Sequence, residues 1–456
     1  MVVIVAVLWL CEGPAINTGD WDRATVPAGF LAPSWEPMQP HYTLGTPAQF
    51  ANNSSMGVLL SALGWLTQRT GHATLATAPI LVVLLLALLA GSFFLARRAC
   101  GHGHRLVLAT LALVLLCYTV YLKSFYGESL VLALTPALCL GIRQLVQQNR
   151  ALLFTLCAAI IIYAKQQMIF VAPIIILLLL RNLWLYGSVN LRVWASLLCI
   201  VLISATTLGV HSENRAPNQY NRYFNGVGWS ILQSAHWPAH RFDERHPYFY
   251  KHQQQLMASL PVTLPQYSYL GTSYLPTAST ILDVARHSEH TEAQKEEAQT
   301  LYDQLIAQGR LGNYLVTLAQ HPAVVWQLIK NTYLTAVRSN YIVAYTRSAV
   351  RLAPAAAEAL AVAQAQLAHV FGWIFIATLL LALVCNKSRF SAIITAWMLL
   401  APLAVVAGDG YFEFEKHMTA FFLFLPCALM AATLRPPKRR LRPLQSFYLC
   451  KKVTGF

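Results

Sequence analysis

The stretch APILVVLLLALLAGSFFLARR, Ala78 to Arg98, decides the class of this fold. It holds no charged residue before its two final arginines. A run of about 20 apolar residues crosses the ~30 Å hydrocarbon core of a bilayer as one helix. The stretch therefore predicts a transmembrane helix that ends at a basic boundary.

The rest of the chain repeats this pattern. Of its 456 residues, 56% are apolar and 11% are charged, whereas a soluble domain carries about 25% charged residues. We predict an all-α polytopic membrane protein, a bundle of about ten transmembrane helices. The predicted spans are 1–11, 78–96, 106–122, 129–142, 151–163, 168–180, 193–210, 368–385, 391–407 and 419–434.

The charges give the predicted spans an orientation. The net charge of +15 could suggest nucleic acid, but the basic residues lie at the ends of apolar runs and in the tail RPPKRRLRP. With the N-terminus inside, the inner loops and the tail hold 16 Lys and Arg, and all 18 acidic residues fall outside. The excess of inner Lys and Arg predicts cytoplasmic termini. The bilayer, and no nucleic acid, is the expected partner.

Two long outer segments divide the chain into four parts. These are a transmembrane module at 1–210 with its first outer loop at 12–77, a second outer loop at 211–367, the last spans at 368–434, and a basic tail at 435–456. The first loop predicts an interfacial helix with an apolar face along Met56, Leu59, Leu60, Leu63 and Leu66. The second predicts helices near HTEAQKEEAQTLYDQLIAQ and PAVVWQLIKNTYLTAVRSNYI. None of the nine cysteines lies in either loop, which argues against a disulfide framework.

Polar residues concentrate in four outer segments, each at the mouth of a predicted span. They are INTGDWDR (16–23), FYGES (125–129), AKQQM (164–168) and GDGYFEFEKH (408–417). A bundle would bring these segments to one level, and ionisable residues of both signs in one leaflet indicate function. The candidate residues are Asp20, Asp22, Arg23, Glu128, Lys165, Gln166, Asp409, Glu413, Glu415, Lys416 and His417.

These residue types suit the transfer of a sugar from a polyprenyl phosphate to a hydroxyl group. A carboxylate can accept the proton of the incoming hydroxyl, and Arg or Lys can neutralise the departing phosphate. The carboxylates at 20, 22, 409, 413 and 415 could hold a divalent cation such as Mg²⁺, Mn²⁺ or Ca²⁺. Equally, Arg23 and Lys416 could make a metal unnecessary.

The layout resembles the GT-C superfamily of polyprenyl-phosphate-sugar-dependent glycosyltransferases. The shared features are an acidic first outer loop, an interfacial helix in that loop, and a short second outer turn. NTGDWDR together with GDGYFEFEKH is similar to bacterial hexosyl- and pentosyltransferases of glycans. The resemblance implies Asp20 as the catalytic base with Asp22 as its alternate, and Arg23 as a phosphate contact. It also implies a bacterial inner membrane, a periplasmic active site, and a glycan, lipid or protein acceptor.

Other interpretations stay open at this point. A glycan polymerase or ligase of the Wzy kind would use loop arginines, for which Arg215, Arg222, Arg241 and Arg245 are candidates. A transporter or flippase of lipid-linked glycans is the non-enzyme alternative. Glu128 could simply complement a helix dipole, and Lys165 could be a lysine that snorkels to the membrane surface.

Overall fold

The computed structural model describes residues 9, 15, 17, 21–26, 28–29, 32, 36–45, 54–98, 102–186, 190–210, 219, 222, 268–269, 272–273, 284–285, 290–320, 322–336, 354–385, 388–409 and 414–434. Over these residues the chain is mostly helical. The helices in chain order are α1 (Asp22–Thr25), α2 (Ser55–Arg69), α3 (Ala78–Arg97), α4 (His102–Tyr118), α5 (Gly127–Gln148), α6 (Leu152–Ala164), α7 (Ala172–Tyr186), α8 (Leu191–Val210), α9 (Glu292–Gly309), α10 (Leu311–Gln320), α11 (Pro322–Ala336), α12 (Pro354–Cys385), α13 (Arg389–Leu399), α14 (Ala401–Asp409) and α15 (Phe414–Thr433). Two 3-10 helices, Thr119–Lys123 and Gln166–Val171, precede α5 and α7.

The protein is a multi-pass integral membrane protein, as the sequence predicts. Within the described residues, six segments are long and apolar enough to cross a bilayer: Ala78–Arg97, His102–Lys123, Gly127–Gln148, Gln166–Tyr186, Leu191–Val210 and Arg389–Gly408. Three shorter apolar helices are Leu152–Ala164, Gly372–Val384 and His417–Thr433. Each coincides with a predicted span. The predicted span at 1–11 lies outside the described residues except for Trp9, so the count of ten stays a prediction.

The core of the bundle is formed by α5 and α15, which pack against each other. From His417 to Ala432 every side chain of α15 is buried, in keeping with a helix that is apolar on all sides. The Thr135 hydroxyl of α5 donates to the carbonyl oxygens of Val131 at 2.7 Å and Leu423 at 3.1 Å. This bond joins the two central helices where lipid offers no alternative partner.

Glycines allow α5 and α6 to approach each other closely at both ends of their hairpin. A Cβ on Gly141 would lie 2.8 Å from the backbone of Phe154, and one on Gly127 would lie 2.2 Å from the carbonyl oxygen of Ala164. Both distances are below ordinary van der Waals contact. Small residues at helix contacts in membranes serve this purpose.

The predicted span 391–407 is broken in the structure. α13 ends at Leu399 and α14 starts at Ala401. Pro402 follows the break, and a proline has no N–H to donate to the preceding turn. One predicted helix is therefore two short helices, and the break lies near the middle of the candidate span.

The first loop folds against the bundle. Strands β1 (His41–Thr43) and β2 (Thr74–Ala76) pair antiparallel, with Tyr42 opposite Leu75. The predicted helix of this loop is confirmed as α2, but its orientation differs from the prediction. Met56 and Leu60 are buried in the core, while Leu66 is exposed beside Val58 and Trp65. Part of the side that we assigned to the membrane surface packs on protein, because α1, α6 and α5 lie against it.

The second loop contributes a helical lobe made of α9, α10 and α11, which confirms both helices predicted there. Thr291 begins α9 with a capping box, in which its side chain and that of Gln294 exchange hydrogen bonds with the backbone. α11 packs against α14 and α15. Strands β3 (Ser268–Tyr269) and β4 (Thr272–Ser273) also belong to this loop.

Candidate functional site

The turn that contains FYGES is held by two buried serines. The Ser124 hydroxyl donates to the carbonyl oxygen of Tyr121 at 2.6 Å, and that of Ser129 lies 2.9 Å from the carbonyl oxygen of Ser124. The two hydroxyls are 2.8 Å apart. These bonds fix the connection between the 3-10 helix at 119–123 and the start of α5.

Trp21 places the first acidic segment against this turn. Its side chain is fully buried, and its ring lies edge-on to Phe125 at 5.4 Å and to Tyr126 at 5.5 Å between centroids. The backbone N–H of Ala15 donates to the carbonyl oxygen of Lys123 at 3.3 Å. INTGDWDR and FYGES are therefore neighbours in space, although about 100 residues separate them.

The polypeptide around Trp21 is ordered by Asn17. The side-chain oxygen of Asn17 accepts a hydrogen bond from the backbone N–H of Trp21 at 3.3 Å. The side-chain amide nitrogen of Asn17 donates to the carbonyl oxygen of Ala32. The Thr25 hydroxyl closes the short helix α1 by donating to the Trp21 carbonyl oxygen at 3.0 Å. Asp20 lies outside the described residues. For Asp22 and Arg23 only the backbone, at the start of α1, is described.

Glu128 and Lys165 form a salt bridge between FYGES and AKQQM. Their side chains are 2% and 15% exposed. The pair forms because Gly127, at the start of α5, lets that helix approach the last carbonyl of α6. Lys165 could have extended to the membrane surface, but its ammonium group instead pairs with the buried carboxylate of Glu128.

Gln167 and His417 connect the same hairpin to the last polar segment. The amide nitrogen of Gln167 lies 2.7 Å from Nδ1 of His417, and the histidine side chain is 7% exposed. The neighbouring Gln166, our sequence candidate, begins the 3-10 helix and is partly buried. The structure thus gives the contact with the histidine to Gln167.

GDGYFEFEKH itself connects α14 to α15. Asp409 is the last residue of α14, and Glu415 and Lys416 lie in the first turn of α15. Only the backbone of these three residues is described, and Glu413 lies outside the described residues. The side chain of Thr419, one turn further along α15, contacts the Tyr121 hydroxyl beneath the FYGES turn.

The described residues of the four polar segments therefore meet at one end of the bundle, which we call the motif end: residues 15, 17, 21–25, 118–129, 164–168, 407–409 and 414–417. Trp21 joins the first segment to the second, Glu128 and Lys165 join the second to the third, and Gln167 joins the third to His417. In the part of the chain that is described, no group of three or more His, Cys, Asp and Glu side chains is arranged to hold a metal ion. The acidic side chains at 20, 22, 409, 413 and 415 lie outside that part.

Sequence reasoning missed the residues that hold the site together. Trp21 stands between two candidate acids, and its burial follows from aromatic partners a hundred residues away. Arg222, which we named for a polymerase, donates to the carbonyl oxygen of Ala407 and to that of Gly309 at 2.8 Å. The sequence does offer one signal for Gly127, because it directly precedes the candidate acid Glu128. A side chain at this position would push α5 away from α6.

Comparison with known proteins assigns the first half of the chain to a family. A family model described as the YfdI N-terminal transmembrane domain matches residues 4–241, just over half of the sequence. This region contains three of the four polar segments and ends within the second loop. No curated protein and no solved structure matches the chain.

Proposed function

The chain belongs to the family of the YfdI N-terminal transmembrane domain, and from that premise we propose that it is an integral-membrane glycosyltransferase. It would move a sugar from a polyprenyl-phosphate donor to a hydroxyl group of a glycan, lipid or protein. The proposal includes a bacterial inner membrane and a reaction on its periplasmic face. It rests on one observation: the described residues of four polar segments, distant in sequence, meet at one end of a membrane bundle.

The chemistry of the donor explains why its site would lie at the motif end of the bundle. Its lipid tail is apolar and its phosphate is charged, so the phosphate belongs at the boundary of the hydrocarbon core. The salt bridge between Glu128 and Lys165 supports a phosphate site there. An ammonium group has three N–H donors, and the bond to Glu128 uses one, so two can be directed at a phosphate.

The reaction needs one proton acceptor and one stabilised leaving group. The acceptor oxygen forms a bond to the anomeric carbon while the bond from that carbon to the phosphate oxygen breaks. The electron pair leaves with the phosphate, and the acceptor proton passes to a carboxylate. We assign the carboxylate to Asp20, with Asp22 as the alternate. Arg23, Lys165, Lys416 and His417 would bind the phosphate.

The remaining candidates complete the site. Glu128 would orient Lys165. Gln166, Asp409, Glu413 and Glu415 would contact the sugar, or the carboxylates among them would hold a cation. In the polymerase interpretation loop arginines bind the substrate phosphates. Arg222 donates to a backbone carbonyl near the end of α14 and to the last carbonyl of α9, a structural task that favours the transferase.

Release of free polyprenyl phosphate tests the proposal. Purified protein in lipid nanodiscs is given a mixture of polyprenyl-phosphate sugars and a membrane extract as acceptor. We expect Asp20→Asn to abolish release. The matched control is Asp303→Asn, the same change on the exposed surface of α9, which should release phosphate like the wild type. No release by the wild type from any donor would refute the transferase. Normal release by Asp20→Asn would move the base to Asp22.

A further inference from the structure

The second loop is attached to the candidate span Arg389–Gly408 at two heights. At the motif end, Arg222 donates to the carbonyl oxygen of Ala407 in α14. At the junction of α13 and α14, the Tyr333 hydroxyl of α11 donates to the carbonyl oxygen of Leu399, the last residue of α13, at 2.6 Å. These two carbonyls are eight residues apart, or about 12 Å along a helix.

The second attachment lies near the middle of a candidate membrane span. Leu399 is near the middle of the candidate span Arg389–Gly408. Ten residues separate it from Arg389, which corresponds to about 15 Å, half of the ~30 Å hydrocarbon core. α11 packs on α14, and the hydrogen bond of Tyr333 reaches the last residue of α13. Tyr333 therefore marks the deep end of α11, and Pro322 marks its shallow end.

The length of α11 agrees with this placement. Eleven residues lead from Pro322 to Tyr333, about 16 Å of helix. A helix along the membrane normal with Tyr333 at the midplane would thus begin at the boundary of the hydrocarbon core. One face of α11 is covered by protein, since Leu328, Thr332 and Ala336 are all buried. Backbone groups at the end of a helix within a membrane require such cover.

The opposite face of α11 is exposed and carries two large apolar side chains. Trp326 is 65% exposed and Leu334 is 38% exposed, and they are two turns apart on one side of the helix. Lys330 lies between them and is also exposed. Side chains on a helix lean towards its N-terminus, which is the shallow end here, so the ammonium group of Lys330 is directed towards the headgroups.

We propose that α11 is a re-entrant helix, inserted into one leaflet beside the broken span, with lipid acyl chains against Trp326 and Leu334. The neighbouring span also has exposed apolar side chains, since Ile393 and Leu400 are about half exposed. The occupant is the bilayer itself, because the attachment at Leu399 sets the depth of the helix. The loop is then part of the membrane domain and not a lobe standing in water.

Tryptophan fluorescence in vesicles tests this placement with the whole protein. Trp326→Phe removes one emitter, and the difference between wild-type and variant spectra reports Trp326. At seven residues from Tyr333, Trp326 would lie about 5 Å inside the hydrocarbon boundary. We expect lipids brominated near the headgroup end of their chains to quench the difference emission, and aqueous iodide to leave it unchanged.

Two matched controls calibrate the measurement. Trp373→Phe reports a tryptophan that is 60% exposed in the apolar stretch of α12, and it should respond to brominated lipid. Trp21→Phe reports a fully buried ring that should respond to neither quencher. Quenching of Trp326 by iodide would overturn the proposal by placing α11 in water. If neither quencher affects the emission of Trp326, as expected for Trp21, the proposal is also overturned, because protein would then cover this face. The readout does not depend on transferase activity.

Discussion

Glu128 and Lys165 form a salt bridge but differ in burial, so we predict that replacing each one alone costs a different amount of stability. Glu128 has a 2% exposed side chain and Lys165 a 15% exposed one. Lys165→Met leaves a buried carboxylate with no counter-charge. Glu128→Gln leaves an ammonium group that still reaches water and can bond to the new amide. The two single variants should therefore lose different amounts of stability, although each removes the same contact.

The magnitudes follow from burial. Removing one partner of a buried ion pair costs about 3–5 kcal/mol, and we expect Lys165→Met to lie in this range. Glu128→Gln removes a charge-assisted bond but leaves no isolated buried charge, which costs about 1–3 kcal/mol. In the double variant no charge remains, so it should be more stable than Lys165→Met alone. The coupling between the sites should reach roughly 1–3 kcal/mol.

Unfolding free energies in mixed micelles, read by loss of helicity, measure all four corners of this cycle. The reasoning is refuted if Lys165→Met costs no more than Glu128→Gln, or if the two losses simply add in the double variant. Phosphate release provides a separate readout. If Lys165 binds the donor phosphate, the double variant should regain stability without regaining transfer.

Three further substitutions test the packing that positions the site, each by thermal or chemical unfolding. Gly127→Ala places a Cβ 2.2 Å from a carbonyl oxygen of α6 and should cost about 1–3 kcal/mol; Gly209→Ala, with nothing within 4 Å, should cost nothing, and equal losses would refute the close approach. Trp21→Ala should cost about 3–5 kcal/mol, while Trp65→Ala, whose side chain is 55% exposed, should stay near wild type. Burial raises the pKa of Tyr314 to about 12, above the ordinary ~10, so its contribution to stability is intact below pH ~10 and falls by about 3 kcal/mol as pH rises towards ~12. Tyr314→Phe should remove that fall in an alkaline titration followed by circular dichroism, and an unchanged profile would contradict the burial of the phenol.

The helices were predictable because each span carries its own signal. Residues 78–96 were predicted as a helix, and the structure has Ala78–Arg97. The break at Leu400 carried a weaker signal, since a proline inside an apolar run is often tolerated in membrane helices. The orientation of α2 was not predictable from its own residues. Leu60 and Leu66 are equally apolar, and it is the positions of α1, α5 and α6 that bury one and expose the other.

The sequence by itself determined a multi-pass membrane protein and the four segments in which polar residues gather. It did so because the bilayer acts on every residue through local hydropathy, which needs no knowledge of distant partners. Only the tertiary structure decided that Trp21 packs on FYGES, that Lys165 pairs with Glu128, and that Gln167 rather than Gln166 meets His417. These contacts join residues 37 to 250 positions apart. They depend on how closely helices approach, and that distance is set by packing between surfaces, such as the one that Gly127 keeps free of a side chain.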